Sequence, residues 1–286
     1  MTDKSGKAKV ISELIRNSSI ELSDKLEDIV DGKGLLPYGM RVYIPSLPGQ
    51  SFSSTLDKLR VLNEMGFDPV PHIAARRVGS REDLLEFLNK AVNECGVHHL
   101  LLVGGDLGHA IGPYQDAIDI LRDGVLTDSG ITEISLAGYP EGHPRISMDA
   151  LDHSLNEKLE LAANCNMDTS IITQFTFAPA RIVDYCSRLA RSIPQVPVYI
   201  GMVGPTDPLK LLKYAKICGV NASMRALNAM GFKAAKLVTH TDPNEQIEVL
   251  GRYVATRDMP NVHGVHIFSF GGFKKSASWM SEHLNL

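Results

Sequence analysis

Residues 134–144 read ISLAGYPEGHP: an apolar run that passes, without a helical turn between, into Tyr, Glu and His broken by two prolines and a glycine. The first half has the character of a strand buried on both faces. The second half is loop chemistry, since Pro and Gly punctuate the chain and leave polar side chains at its end. A buried strand running straight into a polar loop is the arrangement of a barrel whose active residues sit where strands end.

Seven further apolar runs have the same character: 19–22 (SIEL), 40–45, 68–73, 98–104, 169–175, 196–201 and 264–270. Helix signals fill the intervals. In GSREDLLEFLNKAVNECG, Ser80 can cap, acids occupy the first turn, Leu84, Leu85, Leu88, Ala91 and Val92 form one apolar stripe, and Gly96 ends it. In PTDPLKLLKYAKICG the cap is Thr206 or Asp207 and the stop is Gly219. Gly66 closes FSSTLDKLRVLNEMG in the same way. Eight β-then-α units in 286 residues predict a single-domain (β/α)8 TIM barrel, preferred over an open doubly wound sheet on strand count and even spacing. Residues 1–17 read as an N-terminal helical extension, and the long interval 202–263 has room for two helices, near 206–218 and 244–256.

Composition narrows the function. With 22% charged residues, 44% apolar residues and a net charge of −4, the chain has the balance of a soluble globular protein. No Lys/Arg run exceeds two residues, so nucleic acid is not an expected partner. There is neither a signal-peptide pattern nor an apolar run near the ~20 residues that span a bilayer, so a cytoplasmic protein with no membrane partner is expected. Cys95, Cys165, Cys186 and Cys218 are widely spaced and read as reduced, structural thiols. G-x-G-x-x-G, P-loop and G-x-S-x-G patterns are missing.

The strand ends supply the candidates. Glu21, His72, Gly104-Gly105-Asp106, Tyr139, Glu141, His143, Gln174, Gly201 and Ser269 all fall there. The two glycines before Asp106 let a flat ligand approach the backbone, and a carboxylate accepts two hydrogen bonds from a planar N–H/NH2 edge. The alternative is a tight turn in which Asp106 caps the following helix. Gln174 offers a donor and an acceptor to a heterocycle, or satisfies nearby backbone. Phe175 and Phe177 can stack on a ring or fill the barrel. His72 can bind a ligand or tie down its own loop. His98 and His99 begin a strand, at the opposite end of the barrel, and read as structural. His263 and His266 lack partners at metal-ligand spacing, and no metal site is expected.

ISLAGYPEGHP, LLLVGGDLG and SIITQFTF, in this order, with SIEL, PVPHI and GVHIFSF, resemble the methylenetetrahydrofolate reductases over about residues 18–280. The resemblance implies a (β/α)8 barrel that binds FAD and uses NADH or NADPH to reduce 5,10-methylenetetrahydrofolate to 5-methyltetrahydrofolate. It assigns Glu21 as general acid, with aliphatic neighbours where the family has aromatic ones. It assigns Asp106 to the pterin edge and to tuning the flavin. His72, Gly104, Gly105, Asp106, Tyr114, Tyr139, His143 and Lys158 fall at cofactor-binding positions, and Gln174, Phe177 and Lys274 at substrate positions. The family's Arg-Gly-Asp at the fourth strand is Gly104-Gly105-Asp106 here, which removes a cationic flavin contact. FGGFKK stands where the family places a substrate-contacting arginine, so Lys274 or nothing takes that role. Homo-oligomerisation is expected from the resemblance only. A flavin-independent reductase, a reverse-direction oxidase of 5-methyltetrahydrofolate, and a non-catalytic folate- or flavin-binding protein are the competing readings.

Overall fold

The computed structural model describes residues 4–22, 29–30, 32, 34–176, 178–217, 243–256 and 261–284. Strands β1 (Ser19–Glu21), β2 (Arg41–Ile44), β3 (Asp68–Ala74), β4 (His99–Val103), β5 (Glu133–Gly138), β6 (Asp168–Thr173), β7 (Val198–Val203) and β8 (Val262–Phe268) close into a parallel barrel in sequence order. The helices are α1 (Lys4–Arg16), α2 (Phe52–Glu64), α3 (Arg81–Cys95), α4 (Ala117–Asp123), α5 (Val125–Asp128), α6 (Met148–Asn164), α7 (Pro179–Ser192), α8 (Pro208–Ile217), α9 (Pro243–Thr256) and α10 (Phe273–Leu284). The expected (β/α)8 architecture is therefore present.

Local chemistry sets the boundaries. Ser80 accepts from the Asp83 N–H at 3.0 Å to start α3, and Gly96, at φ +66°, ends it in the left-handed region. Asp207 caps α8, accepting from Leu209 N at 2.8 Å. The sequence predicts β7 at 196–201, but Pro197 has no N–H to give to a ladder and the strand begins at Val198. Its pairing with β8, irregular between Val198 and Tyr199, brings Val262 and His263 into a strand predicted to start at 264.

By packing, the chain divides into two compact units. One comprises Met1–Pro37, Gly138–Ser147 and Ile172–Leu286, and the other Tyr38–Ala137 and Met148–Ile171. The first holds the β1–β8 and β7–β8 ladders, with Ile20, Ile200, Val265 and Ile267 fully or almost fully buried. The second holds the ladder from β2 to β5, packed with Val42, Ile44, Val70, Leu100 and Ile134.

Polar side chains are threaded through that second core. Ser135 Oγ lies 3.0 Å from Tyr43 Oη, 2.8 Å from His99 Nε2 and 2.8 Å from Ser170 Oγ, and Arg41 grips Glu133 through two bonds of 2.8 and 2.6 Å. His99 is wholly buried. Desolvation first, then the charges of Arg41 and His98, hold its pKa well below 6.5. Folding therefore expels a proton from His99 once the solution is acidic enough to charge it in the unfolded chain. The unfolded state binds more protons below pH 6.5, so stability falls as pH drops below that value, by up to about 1.4 kcal/mol per pH unit. Denaturant melts between pH 7.5 and 5 should show that slope, and His99→Gln should flatten it; an unchanged slope in the variant would assign the acid sensitivity to other groups.

Candidate active site

In the first unit, β1 and β8 build one face of the site. Their register pairs Ser19 with His266 and Glu21 with Phe268. Alternation puts Ser19 and Glu21 on the same side of β1. His266 is wholly buried; its Nδ1 lies 2.9 Å from Ser19 Oγ and its Nε2 3.8 Å from Glu21 Oε2. The Ser19 hydroxyl thus holds one ring nitrogen, and the other, Nε2, is the nitrogen nearer Glu21. The hydroxyl of Ser269 donates to the backbone oxygen of Glu21. The Glu21 side chain is 15% exposed. This acid is thus held from both strands and backed by an imidazole.

Aromatic rings cluster around the end of β8. His266 meets Phe268 edge-on at 4.8 Å, and Phe268 meets Phe175 at 5.7 Å and stacks on Phe270 at 5.6 Å. Tyr214 on α8 stacks on Phe270 at 4.2 Å and 7°. Gln174 follows β6, and its Oε1 accepts from Phe175 N at 3.1 Å, so part of this amide serves the backbone. In the loop after β5, Tyr139 meets His143 edge-on at 5.6 Å. Burial pushes the Tyr139 phenol up. The Arg145 N–H donates to His143 Nδ1 at 3.2 Å, which places that ring's proton on Nε2. Glu141 of the same loop accepts from the hydroxyl of Thr176. Lys274 lies exposed in the first turn of α10, and Phe177 falls outside the described residues.

The second unit carries the remaining candidates. His72, on β3, meets Tyr43 edge-on at 5.9 Å and lines a cavity of about 520 Å³ between α2 and α3, with Ser46, Phe52, Ala74, Arg77 and Phe87. Asp106 does not cap a helix. That task falls to Asp116, which accepts from Ile118 N at 2.8 Å and forms a capping box with Asp119. Arg77 instead donates to Asp106 Oδ1 from Nε at 3.1 Å and from Nη2 at 2.6 Å. Gly105 sits at φ +90°, where a Cβ would also come within 3.3 Å of Ala74 Cβ, so glycine is required. At Gly104 no atom lies within 4 Å of where a Cβ would stand. Tyr114 is 2% exposed; burial, then the nearby Asp123, push its phenol up to about 12. Burial draws Lys158, on α6, below its ordinary pKa, against the opposing pull of Asp116 and Glu157.

Two contributors escape the sequence reading. His266 stands out in the sequence only as a histidine without partners at metal-ligand spacing, and the signal that finds it is period-2 alternation: Ser19 and Glu21 share a face, and the strand that pairs with β1 carries the histidine opposite Ser19. Arg77 sits four residues past the PVPHI motif around His72, and nothing in its spacing points to Asp106. Among the described residues no group of three or more His, Cys, Asp or Glu is arranged to hold a metal ion, and no helix is long and apolar enough to cross a membrane.

A parallel (β/α)8 barrel is a fold whose enzymes carry their active residues at the strand ends. The chain belongs to the methylenetetrahydrofolate reductase family, whose model matches residues 46–269. It is 29% identical over 160 residues to the 5,10-methylenetetrahydrofolate reductase of Buchnera aphidicola, covering 54% of this chain and 50% of that one. It is 29% identical over 157 residues to the enzyme of the same name from Pectobacterium carotovorum, covering 54% and 50%. The matched stretch thus spans about half the length of these relatives. Among solved structures, a Clostridium thermocellum protein that binds two copies of 5-methyl-5,6,7,8-tetrahydrofolic acid shares the fold, at a TM-score of 0.57, 12% identity and 97% coverage of both chains.

Proposed function

We propose that this protein reduces 5,10-methylenetetrahydrofolate to 5-methyltetrahydrofolate with NADH or NADPH, through bound FAD, with Glu21 as general acid. The observation that carries the reading is the Ser19–His266–Glu21 arrangement on β1 and β8 in a chain of this family. The methylene bridge of the folate opens only when the departing amine is protonated, and a carboxylic acid at a strand end is a suitable donor. The wholly buried His266 fixes that acid's neighbourhood, and Ser269 fixes its backbone. The named relatives and the folate-binding structural neighbour add weight to folate as the substrate class.

FAD fits the residues on one structural ground: the space beyond Gly104 is open, so a flat ring can approach the end of β4 beside Asp106. By the family resemblance, His72, Gly104, Gly105, Asp106, Tyr114, Tyr139, His143 and Lys158 would be the residues that hold it. Bound FAD would supply the hydride relay between nicotinamide and folate. Asp106 would accept from the pterin N–H/NH2 edge, and Gln174, its Oε1 engaged by Phe175, would donate through its NH2. Phe177 and Lys274 would complete the folate contacts. The work is that of a cytoplasmic enzyme, which a homo-oligomer would perform equally well.

The test is the visible spectrum of the purified protein, followed by anaerobic NADH or NADPH and then methylenetetrahydrofolate. The expected result is an oxidised-flavin band that survives gel filtration, is bleached by a pyridine nucleotide and is restored by the folate. Colourless protein that still reduces the folate would replace the flavin route with direct transfer. Protein that neither binds nor reduces folate would end the reading.

A further inference from the structure

Arg77 is the residue of the second unit whose position the proposed reaction leaves unexplained. The loops after β3 and β4 are fastened together by its neighbour. Arg76 N donates to Gly104 O at 3.1 Å, Ile111 N donates to Arg76 O at 3.0 Å, and the Arg76 guanidinium donates to Leu107 O at 3.0 Å and Gln115 O at 2.8 Å. Gly112 lets the loops close, since a Cβ there would stand 2.2 Å from Gly79 O. Arg76 thus serves structure. Arg77 does not share those bonds: its side chain, 17% exposed, sends two nitrogens to one oxygen of Asp106, whose side chain is 68% exposed.

We propose that Arg77 is a positioning residue for ligand recognition, which fixes Asp106 in the orientation that accepts the N–H/NH2 edge of a planar heterocycle. This rests on the reading of Asp106 as the carboxylate that takes the pterin ring. An exposed aspartate at a loop tip samples several rotamers, and a ligand that needs one of them binds more weakly by the fraction of time it is absent. Two donors converging on Oδ1 set the plane of the carboxylate. The fourth strand offers no cation of its own, because its end is Gly104-Gly105. With the carboxylate of Asp106 mostly in solvent, the ion pair adds little to folding stability, so its consequence falls on geometry.

The experiment is a double-mutant cycle on 5-methyltetrahydrofolate binding, read by titration calorimetry on the intact protein. Arg77→Ala should weaken binding on the order of tenfold at an unchanged melting temperature. Asp106→Ala should weaken it at least as much, and the double variant should be no worse than Asp106→Ala alone, because Arg77 acts through Asp106. Arg77→Lys should recover part of the loss, since it restores the charge but not the two-pronged fork. If Arg77→Ala binds within about twofold of the parent while Asp106→Ala does not, the positioning role is overturned and the reading of Asp106 stands. Losses that add fully in the double variant would also overturn it, by giving Arg77 a separate contact with the ligand. Asp106→Ala binding like the parent, or a parent that binds no folate, would bring down the reading of Asp106 and this proposal with it.

Discussion

Glu21→Gln should abolish folate turnover, lowering it by about 10²–10⁴, while NADH- or NADPH-dependent reduction of a quinone acceptor continues near the parent rate. The two half-reactions make different demands. Passing reducing equivalents from a pyridine nucleotide to an artificial acceptor needs no proton delivered to a folate amine. Opening the methylene bridge does. Glutamine preserves the size of Glu21 and its place on β1 but has no acidic proton, so the loss separates chemistry from folding. His266 supplies the internal control. Its contact with Glu21 Oε2 is 3.8 Å and its bond to Ser19 Oγ is 2.9 Å, so His266→Asn should disturb the acid rather than replace it. That variant should fall between the parent and Glu21→Gln in folate turnover, with a changed pH profile. A Glu21→Gln enzyme that reduces folate at the parent rate would remove Glu21 from the chemistry.

The barrel was legible because its strands are buried on both faces and its helices carry their own start and stop signals. Ser80, Gly96 and Asp207 do in the structure what their residue types predict. What local pattern leaves open is which side chain meets which across strands and loops. Asp106 could be read as a helix cap because a carboxylate after two glycines before a helix suits that role, yet the helix starts only at Ala117 and brings its own cap, Asp116. Its actual partner, Arg77, comes from another loop. His266 is hidden for a related reason: a histidine inside an apolar strand reads as core until the β1–β8 register sets it opposite Ser19. Both partnerships are set by long-range register, which no single window of sequence contains.

Gly201→Ala should be a severely damaging small substitution, and its cost should fall on stability and ligand binding together. Gly201 lies in β7, and its N–H donates to Thr173 Oγ1 at 2.8 Å. A Cβ on Gly201 would stand 2.0 Å from Thr173 O, 2.8 Å from Phe268 Cε2 and 3.1 Å from Phe175 N. Two of those three neighbours are backbone, so no side-chain rotation relieves the clash; the strands must part, and Phe268 must shift as well. Overpacking of this kind costs about 1–3 kcal/mol or more. Phe268 is the ring that meets both His266 and Phe175, so relief through it displaces the wall beside Glu21. Denaturant melts should show the loss at the midpoint with an unchanged slope. Folate turnover, measured well below the melting temperature where the variant is folded, should fall as well. Gly204→Ala is the comparison: its Cβ would meet Ser276 Oγ at 2.3 Å, a hydroxyl that can rotate, and Ile267 Cγ2 at 3.1 Å. The same added methyl should therefore cost less there, and equal losses at the two positions would show that the rigidity of the Thr173 backbone is not what requires glycine at 201.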